Sequence, residues 1–102
     1  MATTVSARSA VAGPHGAITL VRGERLGMRM WRAEEPNADK PMTKSAYETV
    51  GYVVSGRAEL VLEGETLALA PGDSYCVPAG AAHTYRILET FTAVEATAPP
   101  AG

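Results

Sequence analysis

The chain has 102 residues, of which 46% are hydrophobic and 20% charged, and a net charge of −2. This is the composition of one globular domain with a modest core. The lack of any basic run excludes nucleic acid and anionic membrane surfaces as expected partners, and no apolar run approaches the ~20 residues of a bilayer span. Cys76 is the only cysteine, which rules out an intramolecular disulfide and a cysteine-rich zinc site, and a cytoplasmic location is expected.

Residues 1–16 read as a polar N-terminal arm, with a turn at Gly13-Pro14-His15-Gly16. From there, Gly and Pro recur every few residues, too often for helices, and cut the chain into short strands. Strands are expected over Ala17 to Arg22 and Arg25 to Ala33, followed by a polar loop from Glu34 to Met42. Tyr47 to Val54 and Arg57 to Glu63 flank the Ser55-Gly56 turn, and Glu63-Gly64-Glu65 turns into a strand from Thr66 to Ala70. Ser74 to Val77, His83 to Leu88 and Phe91 to Ala96 complete the set, with 98–102 as a tail. About eight short strands with turns between them specify an all-β barrel or sandwich. Its domain spans 17–97.

Side chains alternate along a strand. If His83 points inward, so do Tyr85 and Ile87. On Arg25 to Ala33, the series Leu26, Met28, Met30 and Arg32 is more apolar than Arg25, Gly27, Arg29 and Trp31. The first series is therefore expected to face the interior, with Arg32 near the mouth. On Tyr47 to Val54 both faces are mixed, and alternation does not choose.

Gly72 to His83 reads GDSYCVPAGAAH, the pattern G-x-x-x-x-x-P-x-G-x-x-H. Two turns bracket a short strand, and the histidine opens the next strand. This segment resembles the second signature motif of the cupin superfamily, Tyr52 to Arg57 resembles the end of the first motif, and Phe91 to Pro100 resembles a cupin's last strand and tail. The resemblance implies an all-β, cupin-type jelly-roll barrel whose interior is either filled or open to one small ligand.

In metal-binding cupins the first motif supplies two histidines and a glutamate or glutamine, and the second supplies one histidine. Counting back from Gly56 puts the carboxylate position at Thr49 and the histidine positions at Thr43 and Ser45, or at Met42 and Lys44. None is a histidine or carboxylate, so only His83 remains of the implied ligand set. Glu48 adjoins Thr49 but belongs to the opposite strand face. No tightly bound metal and no other cofactor is expected. A weak divalent site of His83, Glu48 and Tyr47 is the alternative. His15 reads as a surface turn residue, Asp73 as a turn cap and Cys76 as an inert thiol in a packed strand.

The leading reading is a barrel that binds a small organic molecule. Its candidate contacts are His83, Tyr85, Tyr47, Glu48, Tyr52, Met30 and Arg32, with Tyr75 a further tyrosine that could supply a polar group. The alternative is a small enzyme, an isomerase, lyase or dioxygenase-like protein, in which His83 is an acid, a base or a residual metal ligand. The resemblance allows this, because metal-free cupin-like sugar epimerases pair a histidine base with a tyrosine acid. Those enzymes also hold a nucleotide in a basic site, for which Arg32 and Lys44 are the only candidates. A homodimer is expected, as the commonest oligomer.

Overall fold

A computed structural model describes residues 3–10, 12–13 and 16–101; Pro14 and His15 of the expected 13–16 turn lie outside these. The described residues form eight strands and no helix, so no helix is long and apolar enough to cross a membrane. The strands are β1 (Ile18–Arg22), β2 (Gly27–Glu34), β3 (Glu48–Ser55), β4 (Ala58–Leu62), β5 (Glu65–Leu69), β6 (Ser74–Val77), β7 (His83–Ile87) and β8 (Phe91–Ala98). They build two antiparallel sheets, one of five strands in the order β1-β2-β8-β3-β6 and one of three in the order β5-β4-β7. Two packed antiparallel sheets are what the spacing of turns predicts, and the jelly roll is the form implied by the resemblance at Gly72 to His83.

The sheets bury their facing sides against each other. Val53, Ala58, Leu60, Leu69, Val77, Ile87, Phe91 and Ala93 form a continuous apolar cluster with Tyr75. Each fully buried Val, Leu, Ile or Phe side chain here contributes about 1.5–3 kcal/mol relative to exposure. Alternation is strict on β3, where Thr49, Gly51 and Val53 are buried and Glu48, Val50, Tyr52 and Val54 are exposed. The same period holds on β8, with Phe91, Ala93, Glu95 and Thr97 inside.

The expected facing of β2 is corrected. Register pairs Arg29 with Glu95, Glu95 with Gly51, and Gly51 with Tyr75, so these four residues form one transverse row across β2, β8, β3 and β6. Glu95, Gly51 and Tyr75 are buried, so Arg29 shares their inner face. Met28 and Met30 lie in the alternate rows, beside Ala96 and Val94, on the outer face with Val50 and Tyr52. The inner row is polar because it borders a cavity, and the outer face is the more apolar of the two.

The end of β2 departs from period two. Register with β8 shifts between Trp31 and Glu34, and Ala33 has a left-handed φ of 49°. The extra residue of this bulge turns Glu34 to the same side as Trp31, where unbroken alternation would have put it outside. The following loop is pinned: Asn37 exchanges backbone hydrogen bonds with Ile87, and Thr43 with His83, so the segment runs beside β7.

Gly51 is fixed by a close approach. A Cβ there would lie 2.2 Å from Cζ of Tyr75, because the Tyr75 ring crosses over the glycine to reach Glu95. Gly51→Ala is therefore expected to destabilise the fold by about 1–3 kcal/mol through overpacking. Urea denaturation measures this. The double variant with Tyr75→Ala is expected to cost less than the sum of the two single changes, since the clash disappears with the ring.

Candidate functional site

A cavity of about 410 Å3 opens between the sheets, bounded by β2, β7, β8 and the 40–47 segment. Its wall includes the Glu95 carboxylate, whose side chain is fully buried. One oxygen accepts hydrogen bonds from Arg29 Nε at 2.8 Å and Trp31 Nε1 at 3.0 Å. The other accepts from the Tyr75 hydroxyl at 2.6 Å, with the Tyr85 hydroxyl at 3.5 Å. A buried charge is tolerated only when paired and fully hydrogen-bonded, and Glu95 meets both conditions with four donors from three strands, β2, β6 and β7.

This cluster orders the rest of the wall. Arg29 Nη1 donates to the Tyr47 hydroxyl at 3.2 Å, and its guanidinium lies 5.4 Å from the Tyr47 ring centroid and 5.2 Å from that of Trp31. Burial opposes the Arg29 charge, but the Glu95 carboxylate and the contact with Tyr47 outweigh it and raise its pKa. Burial and the same carboxylate push the Tyr75 and Tyr85 phenols well above the usual range, so both remain proton donors. Tyr47 goes the other way. Burial would raise it, yet hydrogen bonding with Ser45 and the adjacent Arg29 guanidinium lower its pKa.

At the mouth, Lys40 Nζ lies 3.2 Å from Glu34 and 5.4 Å from the Trp31 ring centroid. The bulge at Ala33 is what brings Glu34 to this side. His83 is buried at the start of β7. Its Nδ1 lies 2.9 Å from the Ala81 carbonyl, which as an acceptor requires the proton on Nδ1. In the neutral ring, Nε2, 3.4 Å from Thr43 Oγ1, is then the acceptor.

Of the residues expected at the site, His83, Tyr85 and Tyr47 line this cavity, together with Tyr75. The other four do not. Glu48 is exposed on the outer face of β3, where its carboxylate meets Cys76 Sγ at 3.9 Å. Tyr52 is half exposed on that same face, and Met30 is its near neighbour across Val94. Arg32 is exposed and donates to the Ala7 carbonyl. Cys76 is exposed too, which corrects the expectation of a packed thiol. The residues that pattern reasoning missed are Arg29, Trp31, Glu95, Lys40 and Glu34. One signal was available for Glu95: it is the only charged residue between Phe91 and Pro100, at the same strand parity as Phe91 and Ala93.

The positions that carry metal ligands in the resembling family hold Thr43 and Ser45 on the cavity wall, with Thr49 buried on β3. Hydroxyls are poor ligands for a divalent transition metal. Among the described residues no three His, Cys, Asp or Glu side chains converge as a metal-binding group. The donor set does not fit such an ion.

Searching curated proteins finds no match. Solved structures give many. An RmlC-like cupin from Shewanella frigidimarina superposes with a TM-score of 0.83 at 17% identity, covering 97% of this chain and 92% of the other. KdgF from Halomonas sp. gives 0.80 at 21%, covering 97% and 94%. Streptomyces PAC13, a variant solved with uridine, gives 0.79 at 16%, covering 100% and 85%. At these identities the likeness is one of fold. The Cupin domain family model matches residues 31–96, a span that runs from Trp31 on the cavity wall to just past Glu95, and the chain belongs to the cupin family.

Proposed function

We propose that this protein binds a small organic molecule in the cavity between its sheets, without a metal ion. The observation that carries this reading is the convergence of Arg29, Trp31, Tyr47 and His83 on one partly enclosed space of about 410 Å3. That volume is within the range of small-ligand sites, and its wall mixes apolar surface with a few oriented polar groups, as such sites do. The fold likeness to PAC13, solved with uridine, is in keeping with a barrel of this shape holding a molecule of that size.

Trp31 is the chain's only tryptophan and lies in the wall, so its fluorescence reports occupancy directly. Titration with uridine is expected to change Trp31 emission saturably, and Tyr47→Phe to weaken binding about 3–10-fold through loss of one hydrogen bond. An unchanged emission across a panel of small polar molecules would sink the reading.

Metal independence has its own measurement. Protein purified without an affinity tag is expected to carry far less than one equivalent of Fe, Mn, Ni, Cu or Zn by elemental analysis. Near-stoichiometric metal that disappears in His83→Ala would overturn it.

A second reading, catalysis by proton transfer, is favoured by the contrast between His83 and Tyr47. In its neutral form His83 turns the Nε2 lone pair to the cavity, because Nδ1 is the nitrogen that donates to Ala81, while Arg29 and Ser45 make Tyr47 a stronger acid than a free phenol. Tyr47 would then protonate what His83 deprotonates. Because its pKa is lowered, Tyr47 should ionise at a pH where Tyr75 and Tyr85 are still protonated. In a spectrophotometric alkaline titration, Tyr47→Phe is expected to remove an early tyrosinate step. If the titration curve keeps all its early absorbance in that variant, Tyr47 is an ordinary phenol.

A further inference from the structure

The charges around the cavity cancel, and they do so with unequal permanence. Two cations, Arg29 and Lys40, and two carboxylates, Glu95 and Glu34, are the only Lys, Arg, Asp or Glu side chains among the described residues of the wall. Each cation already has its own carboxylate, at 2.8 Å for Arg29 with Glu95 and 3.2 Å for Lys40 with Glu34. The second pair is at the mouth, with both side chains 29% exposed, and can open to water. The first cannot. Glu95 is held by Arg29, Trp31 and Tyr75 at 2.8, 3.0 and 2.6 Å, and its side chain has no exposed surface through which to turn away.

An anion that enters must therefore share Arg29 with a fixed negative charge. It gives up its own hydration in a space where like charges repel more strongly than in water. A neutral molecule meets no such barrier. It finds the Tyr47, Thr43 and Ser45 hydroxyls and the His83 Nε2 acceptor, with apolar area from Trp31 and Phe91 between them. Resting on the binding reading above, we infer that the ligand is a neutral, hydroxyl-bearing cyclic molecule, and that Glu95 is the specificity-determining residue that excludes its anionic counterparts by cancelling Arg29. Glu95 acts through Arg29 and is a positioning residue. The cavity suits a molecule of roughly 12–18 non-hydrogen atoms.

Pairs of a neutral molecule and an acidic counterpart test this: uridine against uridine monophosphate, which adds a phosphate, and methyl glucoside against methyl glucuronide, which carries a carboxylate in place of CH2OH and is nearly the same size, each titrated while the Trp31 indole N–H is followed by NMR. In the unaltered protein the neutral member of at least one pair is expected to bind, and its anion at least tenfold more weakly. In Glu95→Gln, which keeps the size of the side chain and one oxygen to accept from Arg29 and Trp31, while its NH2 can only donate to the Tyr75 hydroxyl oxygen, the negative charge is gone and Arg29 is no longer cancelled. The anion of that pair is then expected to gain about tenfold while the neutral member changes little. An anion that binds the unaltered protein as well as its neutral partner, or better, overturns the proposal but leaves small-molecule binding standing. Silence of the Trp31 signal to all four probes overturns both. Should Glu95→Gln fail to fold, the pairs measured on the unaltered protein still decide. A folded Glu95→Gln with unchanged preference removes Glu95 as the cause.

Discussion

The structure depends on one buried carboxylate. Glu95 has no solvent-exposed side-chain surface and takes its hydrogen bonds from Arg29, Trp31, Tyr75 and, at longer range, Tyr85. A lone charge in that position would be expelled or neutralised. It stays because donors reach it from both sheets, and in doing so it ties β2, β6, β7 and β8 to one point. The apolar core of Val53, Leu60, Leu69 and Val77 adjoins it through Tyr75, Ile87 and Phe91, which belong to the core cluster and also line the cavity. The carboxylate decides where the packed core stops and the cavity begins.

From this follows the division of labour in the wall. Tyr75 and Tyr85 are spent on Glu95 and kept protonated by burial beside it. Arg29 faces two ways: its Nε is committed to Glu95, and its Nη1 goes to Tyr47. The groups left to act on a ligand are consequently those that Glu95 does not engage, Tyr47 and the His83 Nε2. Engagement by Glu95 sets which polar groups are structural and which are available.

Much of the fold was legible because turn chemistry is local. Gly64, Gly72, Gly80 and the prolines punctuate the chain at nearly every strand end, and the strand limits read from them agree with the observed ones to within about two residues. The His83 end of the site was legible for the same reason, since the turn before it aims its side chain. The facing of β2 was not. Met28 and Met30 carry the apolar signal that normally marks a core face, but this strand borders a polar cavity on the inside, so its alternation runs backwards. Reading Arg29 and Trp31 as inward requires knowing that Glu95 stands opposite, and that pairing joins residues 66 positions apart. Glu34 was illegible for a different reason: only the slip at Ala33 places it inside.

That slip makes the site modular with respect to insertions and deletions. Upstream of Ala33, the parity of every residue on β2 is locked to β8 by register with Glu95. Downstream, the side on which Glu34 emerges depends on a single added residue. Loss of one residue at Ala33 would swing Glu34 to the outer face and leave Lys40 as an uncompensated positive charge at the entrance, with the Glu95 cluster untouched. A lineage of such barrels can therefore change the charge of its doorway by a one-codon length change, without reopening the interior that took four strands to assemble.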